Sequence, residues 1–361
     1  MKKIAVVGAG GTGHTIAADL AIRGFDVRLC DSEAYRGILE RTAANGGVRI
    51  SGMLGKGFAK IDFASTDVAA ALKDADLVIC CTIANRDEEV AQMIAPYLNN
   101  TSVVLLSAGS AGSLLYRRVF DSHGLTDAVV GETCGNMFSC RLLEDEAAVF
   151  VGSLYAPKNA AAVPSRDVDK LVRAFEGVYE LKPVGSILET AFNAPNLIGH
   201  LALCTLNAGA IENSKDTYYV FRQGVCRSVI NLVDAMWQEK KAVLEHLGIP
   251  CTPSPSGKYR RFMDPLEHQF DAFKALAGPD KLTNRYVTED TPMLDCLFLS
   301  VARALGIQTP LFESLVNVVS AVNQTPYYEQ GRTLENLGLA DLPGENILEY
   351  FKDPRAFPFV C

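Results

Sequence analysis

The sequence predicts an α/β fold in two parts: a parallel-sheet domain over residues 1–185, then a mainly α-helical domain over 186–361. Three observations predict it. The chain has 361 residues, 48% hydrophobic and 21% charged, enough for two ordinary globular cores. Short apolar runs bounded by glycine alternate with helical patterns up to about residue 184. From Leu188 the segments become long and helical, with no strand signal between them.

The same arithmetic removes whole classes. The hydrophobic fraction excludes disorder, a collagen-like repeat and a coiled coil. A formal net charge of -8 argues against a nucleic-acid partner. Several of the 10 Cys sit in apolar runs such as LVICCTIA, as reduced, buried thiols do. No CxxC and no Cys/His cluster of zinc spacing occurs, so no metal is expected. The apolar stretches break before the ~18 residues of a membrane helix, so no membrane partner is expected. MKKIAVVGAGG imitates a signal peptide, but its apolar run leads straight into a better-explained motif. A soluble, cytoplasmic protein is the expectation.

KIAVV (Lys3 to Val7) reads as a buried strand. GAGGTG follows, with Gly8, Gly10 and Gly13 in G-x-G-x-x-G register. HTIAADLAIRGF continues as a helix, and DVRLCD is a second strand stopping on Asp31, eighteen residues past Gly13. That order is the Rossmann-like dinucleotide-binding fingerprint. Gly8 permits the tight turn, Gly10 lets backbone approach a pyrophosphate, and Gly13 lets helix and strand pack closely. Gly11 and Thr12 open the helix, whose N–H groups and positive dipole end suit phosphate. Asp31 can accept hydrogen bonds from the adenosine ribose, which favours NAD. Ser32 and Arg36, just beyond, leave room for NADP.

The alternation continues. Leu77 to Thr82 and Val103 to Leu106 read as strands, and LTDAVVGET ends a third at Glu132 and Thr133. Ligands bind beyond the carboxyl ends of strands in an open parallel sheet. Asn85, the loop from Ser107 through Gly109 to Ser110, and Glu132 with Thr133 are therefore expected to line the crevice. FSCRLL and AVFVGSLY read as two further strands. PKNAAAVPS reads as loop from its Pro, Lys and Asn content. A helix near 165–177 and a strand near 179–184 close the domain.

The second half is expected to hold helices near 193–213, 219–247, 264–277, 292–305 and 310–323, with TPSPSGK as a turn. At ~100° per residue, Asn193, Asn196, His200 and Asn207 share an arc of ~60° on an otherwise apolar helix. Such a stripe is either a buried hydrogen-bond network or a site. Asn193 also fits an N-cap, with Pro195 in the first turn. A second cluster is TNRYVTEDTPMLD. Asp290 fits either a cap ahead of Pro292 or an orienting partner for His200. Arg285 fits either a surface ion pair with Glu289 or Asp290, or a bidentate carboxylate clamp.

These residues resemble a known family. GAGGTGH, GETCGNMFSCR (Gly131 to Arg141), NAPNLIGH (Asn193 to His200), NRYVTEDTPM (Asn284 to Met293) and GRTLENLGL (Gly331 to Leu339) together look like the opine dehydrogenases. This is the octopine and nopaline dehydrogenase family, with its bacterial carboxyethyl-norvaline type. The match runs to about residue 345. It implies two domains with substrates bound in the cleft between, and reductive condensation of an amino acid with a 2-keto acid, usually pyruvate, by NADH or NADPH. It implies His200 as catalytic histidine, Asp290 as its acidic partner and Arg285 as the keto-acid clamp. It implies Asn196, Glu132 and Thr133 beside the substrates, and an assembly that is a monomer or a homodimer. Cys134–Gly135 and the stretch Tyr218 to Arg227 are where altered amino-acid specificity is expected, and Cys134 and Cys140 are expected beside the cleft. The alternative is a related two-domain dehydrogenase acting on a 2-hydroxy or 2-keto acid. Ketopantoate reductases and glycerol-phosphate dehydrogenases use a lysine in the helical domain, and the stripe here has none.

Overall fold

The computed structural model describes residues 2–214 and 218–357. The chain divides into two compact units, Met1–Thr190 and Ala191–Cys361.

The first unit holds twelve strands among the described residues: β1 (Lys3–Val7), β2 (Asp26–Cys30), β3 (Gly47–Gly52), β4 (Gly57–Lys60), β5 (Phe63–Ser65), β6 (Leu77–Cys80), β7 (Val103–Leu106), β8 (Val129–Thr133), β9 (Ser139–Leu143), β10 (Ala148–Ser153), β11 (Lys158–Ala162) and β12 (Leu181–Pro183). Eight form one sheet in the order β12-β11-β8-β7-β6-β1-β2-β5. All its pairings are parallel except β8 with β11. The strand order reverses at β1, which lies between β2 and β6, so the loops after β1 and β6 flank the ligand-accepting switch point of such a sheet.

Strand periodicity explains the two cores. Ile4 and Val6 join Ile16, Leu20, Ile79 and Leu105 on one face. Ala5 and Val7 join Val78, Val104, Tyr116 and Phe120 on the other. Alternate residues of β1 thus bury on opposite faces, and this is why its sequence is apolar throughout.

One expectation for this unit needs correction. The segment read as loop, PKNAAAVPS, contains β11, which pairs antiparallel with β8 and in parallel with β12. Its Ala160, Ala161 and Ala162 are fully buried. Sheet pairing overrides the weak strand preference of alanine. β9 and β10 do form, but in a separate four-stranded sheet, β4-β3-β10-β9. Its β3 and β4 carry no clear strand signal. Glycine ends β3 on both sides, and a Cβ on Gly47 would lie 2.1 Å from the Ala59 carbonyl oxygen.

The second unit is helical, but its helices are shorter than the pattern suggested. The expected helix 193–213 is two, Asn196–Leu206 and Ala208–Ser214. The expected 219–247 is a π-helical turn, Val220–Gly224, followed by a helix over Arg227–His246. Asn207 marks both breaks. Its amide donates to the Leu203 carbonyl (2.9 Å) and the Gly224 carbonyl (3.1 Å), and its oxygen accepts from the Tyr218 hydroxyl (2.9 Å). The amide competes with the helix for backbone groups and ties in the next segment. Within 264–277 only Asp271–Lys274 is α-helical. Conversely, Ser256–Met263 is a helix where a turn was expected, begun by Pro255 and by the Ser254 hydroxyl accepting from the Ser256 N–H. Cys296–Ala304 and Pro310–Val322 complete the longer helices. No helix among the described residues is long and apolar enough to cross a membrane.

Candidate functional site

In the first unit the glycine turn is built by packing. Gly8 has φ +124, and a Cβ there would lie 2.8 Å from the Cys81 carbonyl carbon. A Cβ on Gly13 would fall 1.7 Å from the Gly8 carbonyl oxygen. Nothing lies within 4 Å of a Cβ on Gly10. The fold therefore demands glycine at 8 and 13, and leaves open space over Gly10. Gly10 caps the helix Gly11–Ile22 without a side-chain hydrogen bond. Helix geometry gives the N–H groups of Gly11, Thr12 and Gly13 no intrahelical acceptor. Such a cradle fits the pyrophosphate of a dinucleotide.

Asp31 follows β2 and is buried. Its Oδ2 accepts from the Ala9 N–H (2.8 Å), and its Oδ1 from the Ser32 N–H (2.7 Å) and Arg86 Nη1 (3.0 Å). Sequence reasoning missed Arg86, though it stands beside Asn85 in the loop expected at the crevice. Arg36, considered for a 2′-phosphate, instead pairs with Glu33 and Glu40 at the surface. His14 was also missed. It is fully buried, with Nδ1 on the Gly10 carbonyl (3.0 Å) and Nε2 on the Thr42 hydroxyl (2.9 Å), and burial pushes its pKa down.

The loop after β7 is held from beneath. Ser107 Oγ accepts from the Met137 N–H at 3.2 Å. A Cβ on Gly109 would lie 2.5 Å from the Glu132 carboxylate. Glu132 accepts from the Ala111 N–H (2.9 Å), the Ser113 N–H (3.2 Å), and the hydroxyls of Ser113 (2.6 Å) and Thr190 (2.9 Å). Burial pushes its pKa up. Thr133 Oγ1 accepts from the Ala108 N–H (3.1 Å) and donates to the Gly135 carbonyl (2.9 Å). Glu132 and Thr133, expected beside the substrates, are thus tied by these bonds to the loop after β7. Their polar atoms bracket a loop in which Ala108, Ser110 and Ala111 all take positive φ. Cys140 is buried, its Sγ 3.6 Å from a Cβ built on Gly11, so it packs against the glycine turn.

In the second unit, Asn196 and His200 stand one turn apart on the helix Asn196–Leu206. Both reach Asp290, ninety residues on. His200 Nδ1 lies 2.6 Å from Asp290 Oδ2, and Asn196 Nδ2 donates to Oδ1 at 3.2 Å. The His200 ring stacks on Tyr286, centroids 3.7 Å apart and planes 17° apart. Side-chain exposures are 11% for His200 and 6% for Asp290, so the pair is largely shielded from solvent. Nδ1–H donation to the carboxylate fixes the tautomer and leaves Nε2 to exchange a proton.

The remaining residues divide. Asp290 has helical dihedrals and makes no cap hydrogen bond, so the capping role fails. Asn193 is neither cap nor part of the site: it donates to the Pro250 carbonyl (2.8 Å) and accepts from the N–H and hydroxyl of Thr252 (both 2.9 Å). Arg285 begins the short helix Arg285–Thr288 and pairs with Glu289 at 3.4 Å. The turn Thr291–Asp295 is π-helical. Its Asp295 is fully buried, neither oxygen has a hydrogen-bond partner, and burial pushes its pKa well up. No group of residues able to hold a metal occurs among the described residues.

Two family models match this chain: NAD/NADP octopine/nopaline dehydrogenase, alpha-helical domain, over 183–323, and ketopantoate reductase PanE/ApbA over 4–115. An opine dehydrogenase of Arthrobacter sp. (strain 1C) is 28% identical, over 96% of this chain and 98% of that protein. Vitopine synthase of Allorhizobium ampelinum is 21% identical, over 94% and 96%. Among solved structures, octopine dehydrogenase with NADH and L-arginine has a TM-score of 0.68 at 18% identity, over 96% of this chain and 98% of that one. Yersinopine dehydrogenase with NADP+ has a TM-score of 0.63 at 16% identity, over 91% and 92%. With the fold and the glycine cradle, these matches define the class: an NAD(P)-dependent oxidoreductase acting on the CH–NH group of donors. More particularly, the chain is similar to the opine dehydrogenases over nearly its whole length, which bears out the resemblance read from its motifs.

Proposed function

We propose that the protein condenses the amino group of an amino acid with a 2-keto acid, pyruvate first among them, and reduces the imine to a secondary-amine dicarboxylate. Residues 1–185 act as the cofactor domain and 186–361 as the catalytic domain. Gly8, Gly10, Gly11, Thr12, Gly13, Asp31, Ser107 and Gly109 hold NAD(P)H, which supplies the hydride. The open space over Gly10 supports that assignment.

His200 moves the protons. Nε2 takes a proton from the substrate ammonium, the freed amine adds to the keto carbon to give a carbinolamine, and Nε2 gives the proton to the carbinolamine hydroxyl, which leaves as water. Asp290 balances the charge that His200 carries in its protonated form and holds its ring. Asn196 fixes the second Asp290 oxygen. Arg285 turns its guanidinium from Glu289 to the keto-acid carboxylate, a bidentate match. Glu132 and Thr133 act one step back, by holding the loop that carries Ser107 and Gly109.

The observation that carries this reading is the 2.6 Å contact between His200 and Asp290, on the helical domain that matches the octopine/nopaline model. The test is oxidation of NADH and NADPH with pyruvate and other 2-keto acids, each with a panel of amino acids. Mass spectrometry should find the secondary amine. Turnover of a keto acid or 2-hydroxy acid with no requirement for amine would overturn the reading and favour the alternative dehydrogenase.

A further inference from the structure

The Arg86 side chain, 13% exposed, is engaged on both of its edges. On one edge it meets the acid that ends β2: Nη1 donates to Asp31 Oδ1 at 3.0 Å and Nη2 to Ser32 Oγ at 2.9 Å. On the other, Nε donates to Glu89 Oε2 at 3.2 Å and Nη2 to Glu89 Oε1 at 2.7 Å. The guanidinium carbon also lies 5.0 Å from the centre of the Tyr35 ring.

The two carboxylates on this arginine differ. Asp31 is buried and takes three donors, so it is fixed. Glu89 lies in the first turn of the helix Asp87–Ile94, and its side chain is 56% exposed. It is the movable partner. It also occupies the Nε/Nη2 edge with two parallel hydrogen bonds, a geometry that a phosphate matches as well as a carboxylate does. The Arg86 hydrogen bonds hold the Glu89 carboxyl below its usual range, so it is anionic at working pH.

We propose that Glu89 sets the choice of cofactor: by occupying the Nε/Nη2 edge of Arg86 it withholds that fork from a 2′-phosphate beside Asp31 and Ser32, and makes the protein select NADH over NADPH. The proposal rests on the reading that the first unit holds a dinucleotide with its adenosine ribose at Asp31. Glu89 acts twice against the phosphate, as a competitor for the fork and as a like charge. Removing it leaves Arg86 anchored by Asp31 with one edge open to an incoming anion.

The test is calorimetric titration of the full chain with 5′-AMP and with 2′,5′-ADP, which differ only in the 2′-phosphate. The unsubstituted protein is expected to bind 5′-AMP at least about tenfold more tightly. Glu89→Ala should move the ratio of the two dissociation constants toward 2′,5′-ADP by at least about tenfold, and adding Arg86→Ala should cancel the gain. The NADPH/NADH ratio of kcat/KM should follow. An unchanged ratio in Glu89→Ala, a gain that survives in the double variant, or tight binding of 2′,5′-ADP by the unsubstituted protein would each overturn the proposal. If neither nucleotide bound any variant, the dinucleotide reading itself would fall, and the proposal with it.

Discussion

The two units present their chemistry in opposite ways. In the first, the proposed recognition belongs to backbone: a helix N-terminus, an open face over Gly10, and a loop held in positive φ by Glu132 beneath it. Side chains there stand behind the backbone and shape it. In the second, the proposed chemistry belongs to side chains, and His200, Asn196 and Asp290 meet only because two distant segments pack together. Backbone recognition tolerates little change in volume. Side-chain chemistry tolerates little change in functional group.

Four experiments break or sharpen that contrast. The largest effect is expected at His200. His200→Ala should lower kcat by ~10²–10⁴ in both directions while the fold survives. Near-normal kcat would end the acid–base role. Next is the pair Gly13→Ala and Gly10→Ala. The first places a methyl against the Gly8 carbonyl and should destabilise by about 1–3 kcal/mol, read as a lower denaturation midpoint. The second should leave that midpoint alone and raise the NADH KM about tenfold, since its methyl meets only the space assigned to pyrophosphate. Equal loss of stability in both would erase the distinction between packing and recognition. Third, Arg285→Ala should raise the keto-acid KM about tenfold or more and move the amine KM less. An unmoved keto-acid KM would return Arg285 to its surface pair with Glu289.

The smallest expected effect concerns Asp295. Burial raises its pKa in the folded chain above its unfolded value of ~3.9. Above about pH 4 the folded chain therefore keeps a proton that the unfolded chain has lost, and stability falls as pH rises toward the folded pKa. Asp295→Asn removes that slope. It should stabilise the protein by about 1 kcal/mol near neutrality, with a larger gain at pH 8 than at pH 5. Thermal melts at the two pH values check this, and an equal gain at both would assign the slope to another group.

The same contrast explains what the sequence could show. The cradle was legible because its parts are contiguous: strand, Gly8 to Gly13, helix, strand and Asp31 all fall within 29 residues of one another. Arg86 was not, because nothing in IANRD says that its side chain turns back onto β2. The His200–Asp290 contact spans ninety residues, so spacing offered only candidates and the resemblance joined them. The polar stripe divides in two. Asn196 and His200 share a partner, but Asn193 and Asn207 fix neighbouring backbone instead. A helical wheel cannot make that division, since it assumes one continuous helix and the chain breaks on both sides of Asn196–Leu206. β11 is hidden in the sequence for the matching reason. Its strand character comes from β8 and β12 beside it, and from little in its own residues.

Asp31 carries one more consequence. Its Oδ2 holds the Ala9 N–H, so the acid at the end of β2 is also a pin in the turn after β1. The place that would read the ribose and the place that would grip the pyrophosphate are mechanically one piece. Anyone re-engineering the cofactor by exchanging Asp31 would loosen the grip on both cofactors at once. Position 89, exposed and outside that pin, is the gentler handle.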